Sequence, residues 1–201
     1  LIKFIRAINN TTNLFLLEKV INKGFVIIDL SINFDENGNI KDDYEVKGLL
    51  NDGNVKFLNN TFYKDINFRF NLKKDNFNFQ KIFFNFDKIN FLSNSLRILK
   101  KKNLFFLEGT IENKNSKLTS NVLNFINFDI DFLDIENSYF ETKNNFSFEL
   151  DNKFKLKNLI LKSNIKLDNM KYKTEKFIHN YFLKVSDTII FKDHELKLDY
   201  N

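Results

Sequence analysis

Residues Ile66 to Phe79 set the period to which this chain folds. Apolar side chains at 66, 68, 70 and 72, then at 77 and 79, alternate with polar ones. That two-residue repeat belongs to a strand with one greasy and one wet face, whereas a helix needs apolar positions three and four apart. Between the two runs, Lys73 to Asn76 is charged and small-polar, so the stretch predicts an antiparallel hairpin.

Leu14, Leu17, Val20 and Ile21 recur at helical spacing behind the cap residues Thr11, Thr12 and Asn13. Gly24 stands where a helix stop belongs, which predicts a helix over Thr11 to Lys23. From Gly24 the period becomes two, with Val26, Ile28, Leu30, Ile32 and Phe34 on one side. Phe25 and Ile27 break the alternation, so the start of this strand is expected to be covered on both faces. Asp35 to Asn39 is an Asx-Gly turn, Ile40, Tyr44, Val46, Gly48 and Leu50 return, and Asn51 to Asn54 reads as a second turn.

Short apolar runs follow at Val55 and Phe57, Ile66 to Leu72, Phe77 to Phe86, Ile89 to Phe91, Leu96 to Leu99 and Phe105 to Ile111. The polar pieces between them, among them Ser93 to Ser95, Lys100 to Asn103 and Asn113 to Ser116, predict an uninterrupted antiparallel meander of short strands. Lys117 to Ile126 suits a helical turn or a strand. Phe128, Ile130 and Phe132 alternate again, as do Phe146 to Leu150, Phe154 to Leu156, Leu159 to Leu161 and Ile165 to Leu167. Thr174 to Val185 has helical spacing, and Ile189 to Phe191 with Leu196 to Leu198 reads as a last hairpin. Residues 1–23 are thus expected to connect, 24–171 to form a repeating β region, and 172–201 to add a helix and hairpin. A strand pattern that begins so soon after Leu1, which is not Met, leads to the expectation that the chain is a piece of a longer protein.

Tyr44 to Asn51 matches Phe105 to Glu112 in its apolar positions and its glycine, and Phe68-x-Phe70-x-Leu72 recurs as Phe146-x-Phe148-x-Leu150. Glycine inside a strand marks a bulge or a close approach.

Chemistry-bearing motifs are few. His179 and His194 lack flanking ligands, and Asp129, Asp131, Asp134 and Glu136 read as the wet side of a strand. Asp35-x-Asn37-x-Asn39 begins like a calcium loop, but Ile40 and Val46 occupy the positions that need Gly and Glu. The sequence contains no G-x-S-x-G, P-loop or dinucleotide fingerprint, and no cysteine for thiolate or disulfide chemistry. No enzymatic activity, cofactor or metal is therefore expected. The net charge of +5 is spread among 26 acidic residues, so no nucleic-acid partner is expected either. Lys100 to Lys102 reads as a solvated turn cap or a contact for lipid headgroups.

The 26 phenylalanines admit two shapes. A sandwich would pack them together, each gaining roughly 1.5–3 kcal/mol on burial, whereas a sheet curled alone would leave an apolar gutter for acyl chains. Tyr44 to Asn51 and Phe105 to Asn113, with Asp52-Gly53 and the run of alternating strands over Gly24 to Leu167, resemble the AsmA-like proteins of Gram-negative envelopes. The resemblance implies a mainly β fold, an antiparallel meander curled into an elongated open groove. It also implies non-enzymatic transfer of phospholipid through the periplasm between inner and outer membranes, with an inner-membrane anchor in a segment not present here and envelope proteins as partners. The lining expected on that reading is Ile28, Leu30, Ile32, Tyr44, Val46, Phe68, Phe70, Phe77, Phe79, Phe105 and Leu107. An outer-membrane barrel fragment and a structural β-sandwich or adhesin repeat share the same pattern.

Overall fold

A computed structural model of the protein describes residues 21–39, 41, 43–56, 62–125, 133–135, 137–153, 155–173, 181 and 186–200. Mainly β, they contain β1 (Ile21–Ser31), β2 (Glu45–Lys56), β3 (Phe62–Lys73), β4 (Asn76–Phe86), β5 (Ile89–Lys101) and β6 (Leu104–Lys117). One short helix follows, α1 (Ser120–Phe125), then β7 (Leu133–Asp134), β8 (Tyr139–Asp151), β9 (Leu156–Asp168), β10 (Met170–Lys173), β11 (Thr188–Phe191) and β12 (His194–Tyr200). Nine strands form one antiparallel sheet in the order β1-β2-β3-β4-β5-β6-β8-β9-β12, and β11-β10-β7 form a small second sheet. The large sheet is open. Among the described residues its outer strands, β1 and β12, pair only inward.

The hairpin expected over Ile66 to Phe79 is present, with Lys74 and Asp75 as its turn. At Asp35 the carboxylate accepts the backbone N–H groups of Asn37 and Asn39 at 2.9 and 2.8 Å, and the Asn39 side-chain amide at 3.0 Å. These bonds favour the charged form and hold its pKa below the usual 3.8.

The strands are longer than the sequence predicts, because the polar clusters taken for separators are bulges inside them. Asn51 to Asn54 is part of β2, Ser93 to Ser95 part of β5, and Asn113 to Ser116 part of β6. Phe146 to Leu150 lies within β8, and Leu156, Leu159 to Leu161 and Ile165 to Leu167 merge into β9. A bulge leaves backbone groups without ladder partners, and here asparagine side chains take them. Asn67 Oδ1 accepts the Asp52 N–H at 3.1 Å, its Nδ2 donates to the Asp65 carbonyl at 2.6 Å, and Asn54 Oδ1 accepts the Asp65 N–H at 3.3 Å. The bulge residues Asp52, Asp65 and Lys81 adopt positive φ, as Asn and Asp do more readily than other residues with a Cβ.

Several other expectations change. Residues 21–23, the end of the predicted Thr11–Lys23 helix, are strand, because they pair with β2; residues 11–20 lie outside the described set. Of Lys117 to Ile126, Lys117 ends β6 and Ser120 to Phe125 form α1, while Ile126 lies outside the described residues. The last two apolar runs do not pair as a hairpin: β11 joins β10, while β12 joins β9 as the outermost strand of the main sheet. Phe128 to Phe132, His179 and, apart from Tyr181, the helix expected over Thr174 to Val185 lie outside the described residues.

The buried apolar side chains among the described residues are Ile89, Leu118, Leu123 and Phe140, with Phe91, Val122, Ile135 and Leu167 packed against them. They cluster where α1 lies on one end of the sheet. Thr119 caps that helix, its Oγ1 accepting the Val122 N–H at 3.4 Å and donating to Asp87 Oδ2 at 2.6 Å. Asn121 donates to Asp87 Oδ1 at 3.0 Å, so the carboxylate of the β4–β5 turn clasps the helix to the sheet.

Candidate functional site

Residues directly opposite one another in antiparallel strands point to the same face, so the register identifies which side chains share a surface. One row crosses every strand of the large sheet: Ile28, Gly48, Phe70, Phe79, Leu96, Gly109, Phe146, Leu161 and Tyr200. A second runs Leu30, Val46, Leu72, Phe77, Ile98, Leu107 and Phe148. Phe105, Leu150 and Leu156 extend this face toward the hairpin tips, and Val26, Leu50 and Phe68 flank it on the other side. Lys100, opposite Phe105, brings a charge to this face at the hairpin tips, and amide groups lie farther along it, toward α1.

The two glycines are where neighbouring aromatic rings lie across the row. A Cβ on Gly48 would stand 2.5 Å from Cζ of Phe70, and one on Gly109 would stand 3.1 Å from Cζ of Phe146. Each Phe ring covers the backbone of the glycine opposite it, the arrangement that compensates a glycine in a strand. Phe68 meets Phe70 and Phe79 edge-on, with centroids 6.1 and 5.5 Å apart. These contacts give the repeat seen in the sequence its physical basis. The register is offset by two residues, because Gly48 faces the second Phe of its motif and Gly109 the first.

The opposite face is wet. Asp29, Lys47, Asn71, Asn78, Arg97, Glu108 and Ser147 follow one another across it. Opposed charges pair directly, Lys73 with Glu45 at 3.6 Å, Arg97 with Glu108 at 3.5 Å and Lys162 with Asp199 at 3.7 Å. Lys47, 2.8 Å from Glu45, and Asn71 hydrogen-bond the Glu45 carboxylate and lower its pKa. Such pairs set the register more than they stabilise it.

Toward α1 the apolar face meets a band of small polar groups. Asn113, fully buried, donates to the Phe140 carbonyl at 3.1 Å and accepts from the Thr142 backbone and hydroxyl at 3.1 and 2.6 Å. Asn144 donates to the Ile111 carbonyl at 3.1 Å and accepts from the Ser163 hydroxyl. Ser93, on the same side, donates to the Ser95 carbonyl at 3.2 Å. Every named group has a protein partner, so the band offers little unmet polarity to a ligand.

Beyond the band lies a cavity of about 530 Å³ between the sheet and α1. Tyr63, Phe86, Ile111, Leu123, Ile165 and Met170 are among its walls. Tyr63 stacks on Phe86 at 5.3 Å, and burial raises its phenol pKa. The Thr142 hydroxyl in the wall is already committed to Asn113. At the other end of the sheet, Lys73, Lys74, Lys100 and Lys101 surround a shallow hollow with Tyr44 and Asp75.

Of the lining expected from sequence, Ile28, Leu30, Val46, Phe68, Phe70, Phe77, Phe79, Phe105 and Leu107 share the apolar face by register. Ile32 and Tyr44 stand one step beyond the last ladder pairs of β1 and β2. Phe25 and Ile27, expected to be covered on both faces, are 60% and 51% exposed, because nothing described packs on the wet side of β1. The cavity walls Phe84, Phe86, Phe91, Ile111 and Ile165 were legible only as generic strand residues. Their parity is what connects them to the face, and the bulges conceal that parity. His194 sits edge-on to Phe191 at 5.3 Å, and no cluster of metal-ligating side chains occurs among the described residues. Nor is any described helix long and apolar enough to cross a membrane. No family model, curated protein or solved structure matches this chain.

Proposed function

We propose that the chain holds the acyl tails of phospholipid on the apolar face of its open sheet and serves, without covalent chemistry, as a segment of a lipid-transfer groove of the AsmA-like kind. The observation that carries this reading is the row from Ile28 to Tyr200, which crosses nine strands without a charged or amide side chain while, among the described residues, the buried apolar ones are confined to the α1 end. A sandwich repeat would need a second wall over that row.

The curl that turns a face into a groove is supported by the bulges. Gly53 pairs with Ile66, Asn67 with Phe83 and Ile82 with Ser93, so the irregular positions of β2, β3, β4 and β5 lie side by side. Aligned bulges bend a sheet along one line. Hydrocarbon on such a surface gains about 0.8 kcal/mol per buried methylene, and a wall without free hydrogen-bonding groups gives no methylene a preferred stop. Headgroups would stay at the rim, where Lys100 to Lys102 and Lys73 to Lys74 supply charge for phosphate. On this reading the chain works in the periplasm, between two membranes, with phospholipid and envelope proteins as partners.

Lipid extraction and mass spectrometry of the purified chain tests the proposal. Phe79→Asp, on the apolar face, is expected to remove most co-purifying phospholipid, and Asn78→Asp, one residue along and on the wet face, to retain it. Lipid-free wild-type protein, or equal loss in both variants, overturns the reading.

A further inference from the structure

The two edges of the large sheet are unlike. Both expose apolar side chains on the apolar face, Leu196, Leu198 and Tyr200 in β12 and Val26, Ile28 and Leu30 in β1, but the seven-residue β12 alternates them with His194, Glu195, Lys197 and Asp199, whereas the eleven-residue β1 alternates them with the exposed Phe25 and Ile27. Natural sheets guard a free edge with charge, proline, brevity or a covering segment, and among the described residues β1 shows none of these over Phe25 to Ile28. Phe25 and Ile27 lie on the wet face, which Leu49, Leu99 and Phe106 share by register, but they stand at its margin with more than half of their surface exposed.

We infer that β1 is the pairing edge for a second copy of this chain, joined antiparallel about a two-fold axis at Val26. In that register Val26 meets its own copy on the apolar side, Phe25 meets Ile27 on the wet side, and Lys23 meets Asp29, each contact made twice by symmetry. Opposite charges fall opposite one another and the two exposed apolar side chains cover each other, the cross-strand pairs that stabilise an antiparallel ladder. No other register of β1 on itself sets Lys23 against Asp29. Within its own sheet Asp29 faces Lys47 and Lys23 faces Asn54, so the pairing leaves both inner contacts in place. Two-fold antiparallel pairing also keeps the two apolar faces on the same side, extending one surface across both copies. A β1–β12 contact between copies that kept both apolar faces on one side would be parallel, since β1 and β12 run the same way in a nine-strand antiparallel sheet.

Sedimentation velocity of the full chain at low ionic strength, from about 1 to about 100 μM, reads the association directly. The expected result is a monomer–dimer equilibrium within that range, weakened about tenfold by Lys23→Glu and returned to near the original value by Lys23→Glu with Asp29→Lys. Hydrogen exchange should show those amides of Val26 to Ile28 that point away from β2 protected only at concentrations where dimer forms. A monomer throughout, a dimer indifferent to the charge swaps, or outward-pointing β1 amides protected in the monomer by a segment other than β2 each overturns the proposal. Lipid binding is scored separately by mass spectrometry, so failure of the dimer leaves the acyl-binding face untouched.

Discussion

Gly48→Ala tests the packing on which the apolar row depends. An added Cβ would lie 2.2 Å from the Ile27 carbonyl oxygen and 2.5 Å from Cζ of Phe70. The ring can turn aside, but the carbonyl belongs to the neighbouring strand, so β1 must move away from β2 by about an ångström to restore ordinary contact. Overpacking of this kind costs about 1–3 kcal/mol, and contact with backbone puts Gly48 at the upper end. Removing the glycine's excess unfolded-state entropy returns about 0.5–1 kcal/mol, leaving a net loss near 2 kcal/mol. For a chain of this size that corresponds to a Tm lower by about 4–8 °C. Urea unfolding measures the loss, and hydrogen exchange should place it mainly in β1. Gly109→Ala is expected to cost less, because its nearest contacts are the Ser95 carbonyl at 2.9 Å and the Phe146 ring at 3.1 Å. In a double-mutant cycle with Phe70→Ala, most of the Gly48→Ala cost should survive loss of the ring. A neutral Gly48→Ala, or one milder than Gly109→Ala, refutes the assignment of that close approach.

Asp87→Ala removes both acceptors that hold Thr119 and Asn121, and is expected to cost about 1–3 kcal/mol and raise hydrogen exchange in α1 before the rest of the sheet. Ile111→Trp places an indole in the cavity beneath α1; unfolding should change by less than about 1 kcal/mol because the space exists, while cis-parinaric acid fluorescence from that end falls. At Asp35 the depressed pKa sets the sign of the pH dependence. The turn's contribution is complete above 3.8 and is lost as pH falls through the lower folded value, so amide signals of Asn37 and Asn39 should shift there in the wild type and show no such titration in Asp35→Asn.

The hairpin at Ile66 to Phe79 was legible because strict alternation and a two-residue polar turn admit one reading. Strand length was not, since Ser93-Asn94-Ser95 and Asn113 to Ser116 have the composition of loops, and only the pairing reveals that their amides serve the ladder. The same bulges reset parity. Phe77 and Phe79 lie on the apolar face, and so do Ile82, Phe84 and Phe86, with Lys81 absorbing the extra step; counting by twos from Phe79 therefore places the cavity residues on the wrong side. The expected lining is accordingly confined to the hairpin-tip side of the bulges, away from α1. The Asp87 clasp joins residues more than thirty positions apart and carries no local signature. The β11 and β12 runs resemble a hairpin because they are close in sequence, but β9 offers β12 a seven-residue ladder that the four-residue β11 cannot match.

The alternating charges of His194 to Tyr200 have a consequence for how large any assembly becomes. Once two copies consume their adhesive margins, the margins left outermost are short and studded with Glu195, Lys197 and Asp199, and neither recruits a further sheet. Growth halts at a pair, where a molecule sticky on both flanks would polymerise into fibre.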